Sequence, residues 1–172
     1  SLQLSSRHGI AANYWFPFPK KYLEIIFRAF IPEYSPDLSF DERVLTWKIM
    51  ELLPQLSGDD DFLPLSHYLG DSNDQQKIYQ LAKKIAATFD QYLIFRPEMI
   101  VGWEGGNVHD TRECWQAKLW RIIIDSQGTM HQARLRQLFL SAVKNKPYRP
   151  EALPERLSIF GISYLPPYYL EI

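Results

Sequence analysis

Cysteine is almost missing from this chain: Cys114 is the single thiol in 172 residues. No internal disulfide framework can form, and the usage fits a reducing compartment. Cys114 falls in a helical pattern beside Trp115 and reads as a small buried hydrophobe. Long apolar runs are missing too. None approaches the roughly 18 residues of a membrane span, and Ser1-Leu2-Gln3-Leu4 lacks the basic start and apolar core of a signal peptide. Net charge is −1, which removes the compositional argument for nucleic acid. Any such reading must rest on local charge or on motif. Repeats, low-complexity segments and long linkers are also absent. What is abundant is core material: 46% of residues are hydrophobic and 15% aromatic, enough for one well-packed domain.

The familiar catalytic constellations are missing as well. His8, His67, His109 and His131 form no i,i+4 pair, and neither His-Glu-x-x-His nor a Cys/His ligand set occurs. His109-Asp110 matches a metal-phosphohydrolase dipeptide, but Asp110 reads better as a helix cap. Gly102-Trp103-Glu104-Gly105-Gly106-Asn107 is glycine-rich but has no Gly-Lys-Ser/Thr to complete a phosphate cradle, so it reads as a turn. Gly58-Asp59-Asp60-Asp61 clusters oxygens that hard cations favour, but it lacks calcium-loop spacing and the terminal glutamate. It reads as a solvated loop. No Gly-x-Ser-x-Gly elbow or Cys–His signature supports nucleophilic catalysis.

The helical period dominates the rest. Ile78, Leu81, Ala82, Ile85, Ala86, Phe89, Tyr92 and Leu93 form a continuous stripe. Ser72 and Gln75 are expected to cap its start, and Pro97 disfavours helical geometry at Arg96 and stops it. Ser39 with Glu42, and Thr129 with Gln132, have the spacing of two further capping boxes. Pro19 suits a first helical position ahead of Tyr22, Leu23, Ile26, Phe27 and Phe30. Asp110 and Glu113 are expected to open a helix carrying Trp115, Leu119, Ile122 and Ile123. Shorter helices are expected at Phe62–Leu69 and Pro97–Trp103. The one strand candidate is Leu157–Ser163. It has no partner strand, and the chain starts without methionine; both are read as signs of a fragment of a larger protein.

Basic residues group at Lys20 and Lys21, at Lys83 and Lys84, at Arg134 and Arg136, and at Lys144, Lys146 and Arg149. Each group is either a solvated face or a phosphate-contacting one. Tyr14, Trp15 and Phe18, held near Pro17 and Pro19, are candidates for base stacking, with core packing as the competing role.

Gly9-Ile10-Ala11-Ala12-Asn13 followed by Phe16-Pro17-Phe18-Pro19 resembles the N-terminal part of the RecC family, the gamma chains of exodeoxyribonuclease V. Trp47-Lys48, Leu52-Leu53-Pro54-Gln55-Leu56, Phe89-Asp90-Gln91-Tyr92-Leu93, Arg96-Pro97, Trp115-Gln116-Ala117 and Gly161-Ile162-Ser163 follow in the family's order. The resemblance covers nearly the whole chain. It implies a mainly α fold: residues 1–156 as a helical domain inserted into a helicase-like domain, and residues 157–172 as a strand segment of the parent sheet. It implies a bacterial, cytoplasmic, non-catalytic subunit that guides single-stranded DNA and helps recognise the Chi signal. RecB-like and RecD-like partners would carry the ATPase and nuclease chemistry, so ATP and Mg are expected only there and no cofactor in this chain. No membrane contact is expected. The isolated fragment is expected to self-associate through its orphan strand.

The family's tunnel-lining positions correspond to Phe18, Thr88, Asp90, Gln91, Arg96 and Gln132. The polar members suit hydrogen bonds to base edges or phosphate, and Phe18 suits packing on a base. Glu24 stands where the family pattern implies an aromatic, Gln132 where it implies a basic residue, and Thr88 where it implies an apolar one. These departures leave two readings: a changed sequence preference, or no reading role at those positions. The competing function is a structural brace that docks the partner helicase without touching DNA.

Overall fold

Phe89 anchors the largest buried cluster, its ring meeting Trp120 at 5.4 Å and Trp103 at 6.4 Å, both near edge-on. Such aromatic edges add about 0.5–1.5 kcal/mol per pair beyond the area they bury. This computed structural model describes residues 6, 9, 16–36, 39–56, 58–70, 74–108, 110, 113–145, 150–151, 153–161 and 163–172. Among these lie eight α-helices: α1 Pro19–Phe30, α2 Glu42–Leu52, α3 Leu63–Leu69, α4 Gln75–Phe95, α5 Pro97–Glu104, α6 Cys114–Gln127, α7 Gln132–Asn145 and α8 Pro167–Leu170. Short 3₁₀ turns at Leu53–Leu56 and Asp60–Phe62 link α2 to α3.

The long α4 forms as the apolar stripe expects. Ile78, Ala82, Ile85, Ala86, Phe89 and Leu93 are buried, with Leu81 and Tyr92 half-buried beside them. It packs most extensively on α2, whose Leu45 and Ile49 follow the same period. With α3, α5 and α6 these helices enclose the larger core. A smaller core joins Leu23, Ile26 and Phe27 of α1 to Leu135 and Phe139 of α7 and to Tyr168 of α8. Helix α7 serves both, because Ala133 faces the larger core while Leu135 and Phe139, two and six residues on, face the smaller.

The caps differ from the expected boxes. Helix α2 is capped by Asp41, whose carboxylate accepts from the Arg43 N–H at 3.1 Å, and Ser39 lies two residues outside. Helix α4 is capped by Asp74, which accepts from the N–H groups of Gln76 and Lys77 at 2.9 and 3.3 Å. Ser72 lies outside the described residues. In both, a carboxylate directly before the first helical residue accepts from the free amides of the first turn. Helix α7 is capped by His131, whose Nδ1 accepts from the Arg134 N–H at 3.3 Å, and not by Thr129.

The expected strand is the larger difference. Residues 157–161 and 163 have no strand geometry, and Ile162 lies outside the described residues. A strand needs a neighbour for its ladder of N–H and C=O groups, and no described segment supplies one. Gly161, at φ 72°, also breaks the extended run. The segment instead runs past the start of α1, where Phe160 meets Phe16 edge-on at 5.8 Å.

Candidate nucleic-acid interface

Four of the six expected site residues sit at or near the end of α4. Pro97 stops the helix at Arg96, which takes φ −139° and ψ 48° while its N–H still reaches the Tyr92 carbonyl at 2.9 Å. The Arg96 carbonyl then accepts from Met99 and Ile100, so one residue closes α4 and opens α5. Its guanidinium lies over the Tyr92 ring, 5.4 Å from the centroid, a cation–π contact. Thr88 turns its hydroxyl back to donate to the Lys84 carbonyl at 2.9 Å. It borders a groove of about 250 Å³ with Lys84, Trp115 and Gln116.

Two residues on, at roughly 100° per residue, Asp90 faces almost the opposite way. Burial pushes its carboxyl above the ordinary value; the Lys20 charge opposes the shift, and Glu42 and Asp41 add to it. Tyr169 is also pushed up, first by burial and then by the Asp90 charge. Asp90 therefore belongs to the junction of α1, α2 and α8. Gln91 is exposed.

Gln132 opens α7 beside the same junction. It lines a cleft of about 130 Å³ with Lys20, Glu24, Asp41 and His131. Its Oε1 is buried and has no hydrogen-bond partner. Its backbone carbonyl accepts from the Tyr168 hydroxyl at 3.1 Å, and burial pushes the Tyr168 phenol up. Phe18 precedes Lys20 by two residues and is 85% exposed. It rims an apolar groove of about 500 Å³ between the start of α1 and the segment from Leu157 to Gly161. The fold thus brings Gln132 and the departing residue Glu24 to one cleft with Lys20; the Lys20 charge reaches Asp90, and Phe18 rims a different groove. Thr88 lies on another face, and Arg96 is engaged with Tyr92.

A protein-family model described as RecC, N-terminal domain, matches residues 1–172. The chain belongs to the RecC family. It is 39% identical to RecBCD enzyme subunit RecC of Escherichia coli over 178 residues, covering 99% of this chain and 16% of that one. Against RecBCD enzyme subunit RecC of Haemophilus influenzae it is 34% identical, over 99% of this chain and 18% of the other. Against that of Mycolicibacterium smegmatis it is 28% identical, over 100% and 16%. The chain therefore spans about one sixth of the length of the curated relatives it matches.

Other features of this RecC-family chain resolve into structure. The glycine-rich run is the turn that ends α5: Asn107 N–H reaches the Gly102 carbonyl at 2.9 Å, and Gly106 takes φ 82°. In the acidic loop, Asp59 caps the 3₁₀ turn through the Asp61 N–H at 3.0 Å. Asp59 and Asp61 then bind Lys118 Nζ at 2.6 and 2.7 Å, which lowers the Asp59 carboxyl. Among the described residues no group of three or more His, Cys, Asp or Glu side chains is placed to hold a metal ion, and no helix is long and apolar enough to cross a membrane. His109 lies outside the described residues.

Sequence reasoning missed His131. Its Nδ1 accepts from the Arg134 amide, so its Nε2 carries the proton and donates to Glu104 Oε1. Glu104 also accepts from Trp120 Nε1 at 3.3 Å, and the imidazole stands edge-on to Phe40 and Trp120. A polar residue directly before an apolar-periodic run was the available signal. It was obscured because histidine is an uncommon cap.

Proposed function

We propose that this chain is the N-terminal, non-catalytic part of a RecC-like subunit of a RecBCD-type exonuclease–helicase, acting with RecB-like and RecD-like partners in bacterial DNA double-strand break repair in the cytoplasm. In this reading residues 1–156 are a helical insertion, and residues 157–172 take strand form beside the sheet of a helicase-like parent domain. The face around Lys20 guides a single DNA strand and contributes to Chi recognition. One observation supports the assignment: Gln132 lines a cleft with Lys20, whose charge also acts on Asp90, while the exposed ring of Phe18 stands two residues before Lys20. Carboxylate and amide oxygens suit the amino groups of unpaired bases, an ammonium suits phosphate, and an exposed ring suits a base face. Gln91, Arg96 and Thr88 are secondary contacts in this reading.

The experiment is single-strand binding and Chi response of the reconstituted complex carrying Asp90→Ala and Arg96→Ala. Reduced binding or a weakened Chi response is expected. Wild-type behaviour in both assays would remove the site assignment.

The second reading is the brace that docks the partner helicase without touching DNA. It is favoured by Thr88 and Arg96 being engaged within the chain. A complex that loses partner affinity in these variants, with DNA binding unchanged, would select it. The unpaired backbone from Leu157 to Gly161 also supports self-association of the isolated chain, which sedimentation reads directly.

A further inference from the structure

Trp47 is 64% exposed, an unusual position for the largest apolar side chain. It stands on α2 with its ring 5.8 Å from that of Tyr79 on α4, tilted by 46°. Tyr79 is itself 37% exposed. The two rings form a step on the surface where α2 and α4 run side by side. Lys83 lies one helical turn beyond Tyr79, about 6 Å along the axis and on the same face. It has no ion-pair partner among the described residues.

On the α4 side of this step the charge is positive. From Gln75 to Phe89, α4 carries Lys77, Lys83 and Lys84 and no acidic residue, in a chain whose net charge is −1. On the α2 side the cations are offset, Arg43 by Asp41 and Lys48 by Glu51. Of the three, Lys83 shares the face of Tyr79; Lys77 donates to the Leu69 carbonyl at 3.2 Å and lies over the Tyr68 ring, and Lys84 borders the groove by Thr88. The exposed amides Gln76 and Gln80 add hydrogen-bonding groups with no charge. A protein partner with a neutral apolar surface would use the rings and leave Lys83 unmatched. A ligand with repeated negative charges and flat apolar faces uses both.

We propose that the Trp47–Tyr79 step with Lys83 is a stacking contact for single-stranded nucleic acid, separate from the face around Lys20. A base packs on the exposed Trp47 and Tyr79 rings, and a neighbouring phosphate meets Lys83. The proposal rests on this surface alone and does not require the Lys20 face to read DNA.

The test uses the 172-residue chain and a fluorescent oligothymidylate, with an abasic strand of equal length as comparison. Trp47→Ala and Tyr79→Ala each weaken oligothymidylate binding by about tenfold, the scale of losing one base stack. Trp47→Phe, which keeps an aromatic face, recovers most of the loss. Neither alanine variant changes binding to the abasic strand. Lys83→Gln lowers the slope of log affinity against log salt by about 0.7, the value for one phosphate on a single strand. The helical circular dichroism of each variant is compared with wild type, and exposed Trp47 makes a folding loss unexpected. Absence of wild-type binding overturns the proposal. So do equal losses on base-bearing and abasic strands, which would indicate a generic polyanion such as an acidic protein segment. Asp90→Ala in the reconstituted complex tests the Lys20 face independently, so the two readings fail separately.

Discussion

Replacing His131 by alanine removes three supports at once. The first is the cap on α7, where Nδ1 accepts from the Arg134 amide; losing a side-chain cap costs about 1 kcal/mol. The second is the bond from Nε2 to Glu104. Glu104 has a side chain only 14% exposed and keeps a single further bond, from Trp120. Leaving a largely buried acceptor short of a partner costs roughly 1–3 kcal/mol. The third is the edge-on packing between Phe40 and Trp120, worth about 1 kcal/mol per ring pair with some overlap between the pairs. The total is about 4 kcal/mol, a large share of the 5–15 kcal/mol that holds a typical domain together. For a chain of this size it corresponds to a drop in Tm of about 8–16 °C. Thermal and urea denaturation followed by circular dichroism measure it. His131→Asn separates the contributions, because asparagine is among the best caps but is too short to span to Glu104. It should recover about 1 kcal/mol of the loss. A loss below about 1 kcal/mol for His131→Ala would refute the reasoning. Equal losses for the two variants would remove the capping part of it.

Asp90→Asn tests burial of charge. The Asp90 carboxyl titrates above its ordinary value of 3.8, chiefly because of burial. The aspartate therefore contributes fully below pH 3.8, and that contribution fades as pH rises through the raised folded value. The asparagine variant should be the more stable at pH 7, with the advantage gone near pH 3; an advantage equal at both pH values would contradict the assignment. Arg136→Ala releases Glu171, which Arg136 holds with Nε at 2.8 Å and with NH2, and Glu98, which it holds at 2.8 Å. Amide exchange in α8 should quicken roughly two- to fivefold, the equivalent of ~0.5–1 kcal/mol for a partly exposed pair network, while α6 is unaffected. Uniform exchange changes across the chain would show that Arg136 supports the whole fold and not the C-terminal turn.

The helices were legible where one period decided them. The stripe through Ile78, Ile85 and Phe89 specifies both the existence of α4 and its buried face, and Pro97 fixes its end. Caps were less legible because several polar residues precede each helix and only geometry selects among them. Asp41 and Asp74 stand next to the first free amides, whereas Ser39 stands farther off. Among the described residues of Leu157–Ser163 no strand forms, for a nonlocal reason. β-branched and aromatic residues can favour extended backbone, but a strand exists only when a second one accepts its hydrogen bonds. The residue types that suit DNA contact were legible one at a time. Their surroundings were not, because Gln132 reaches the cleft with Lys20 and Glu24 only when α7 packs against α1. The same limit hid the Trp47–Tyr79 step, since a helical pattern shows that Trp47 lies off the core stripe but not that Tyr79 stands beside it.

The division of α7 between two cores also sets an order of events. The larger core is assembled from one continuous stretch, Phe40 to Ala133. The smaller one joins the beginning of the chain, at Leu23 to Ile31, to its far end at Tyr168. Closing so long a loop carries a greater entropic cost, so this joint forms late in folding. It is also the part expected to open first in the native state. The cleft that carries Lys20 and Gln132 stands on that late-closing joint, while the Trp47–Tyr79 step stands on the early-forming body. A passing strand held at both would bridge a mobile edge and a fixed platform. Exchange protection should therefore rise on strand binding in α1 and α8 far more than in α2 and α4.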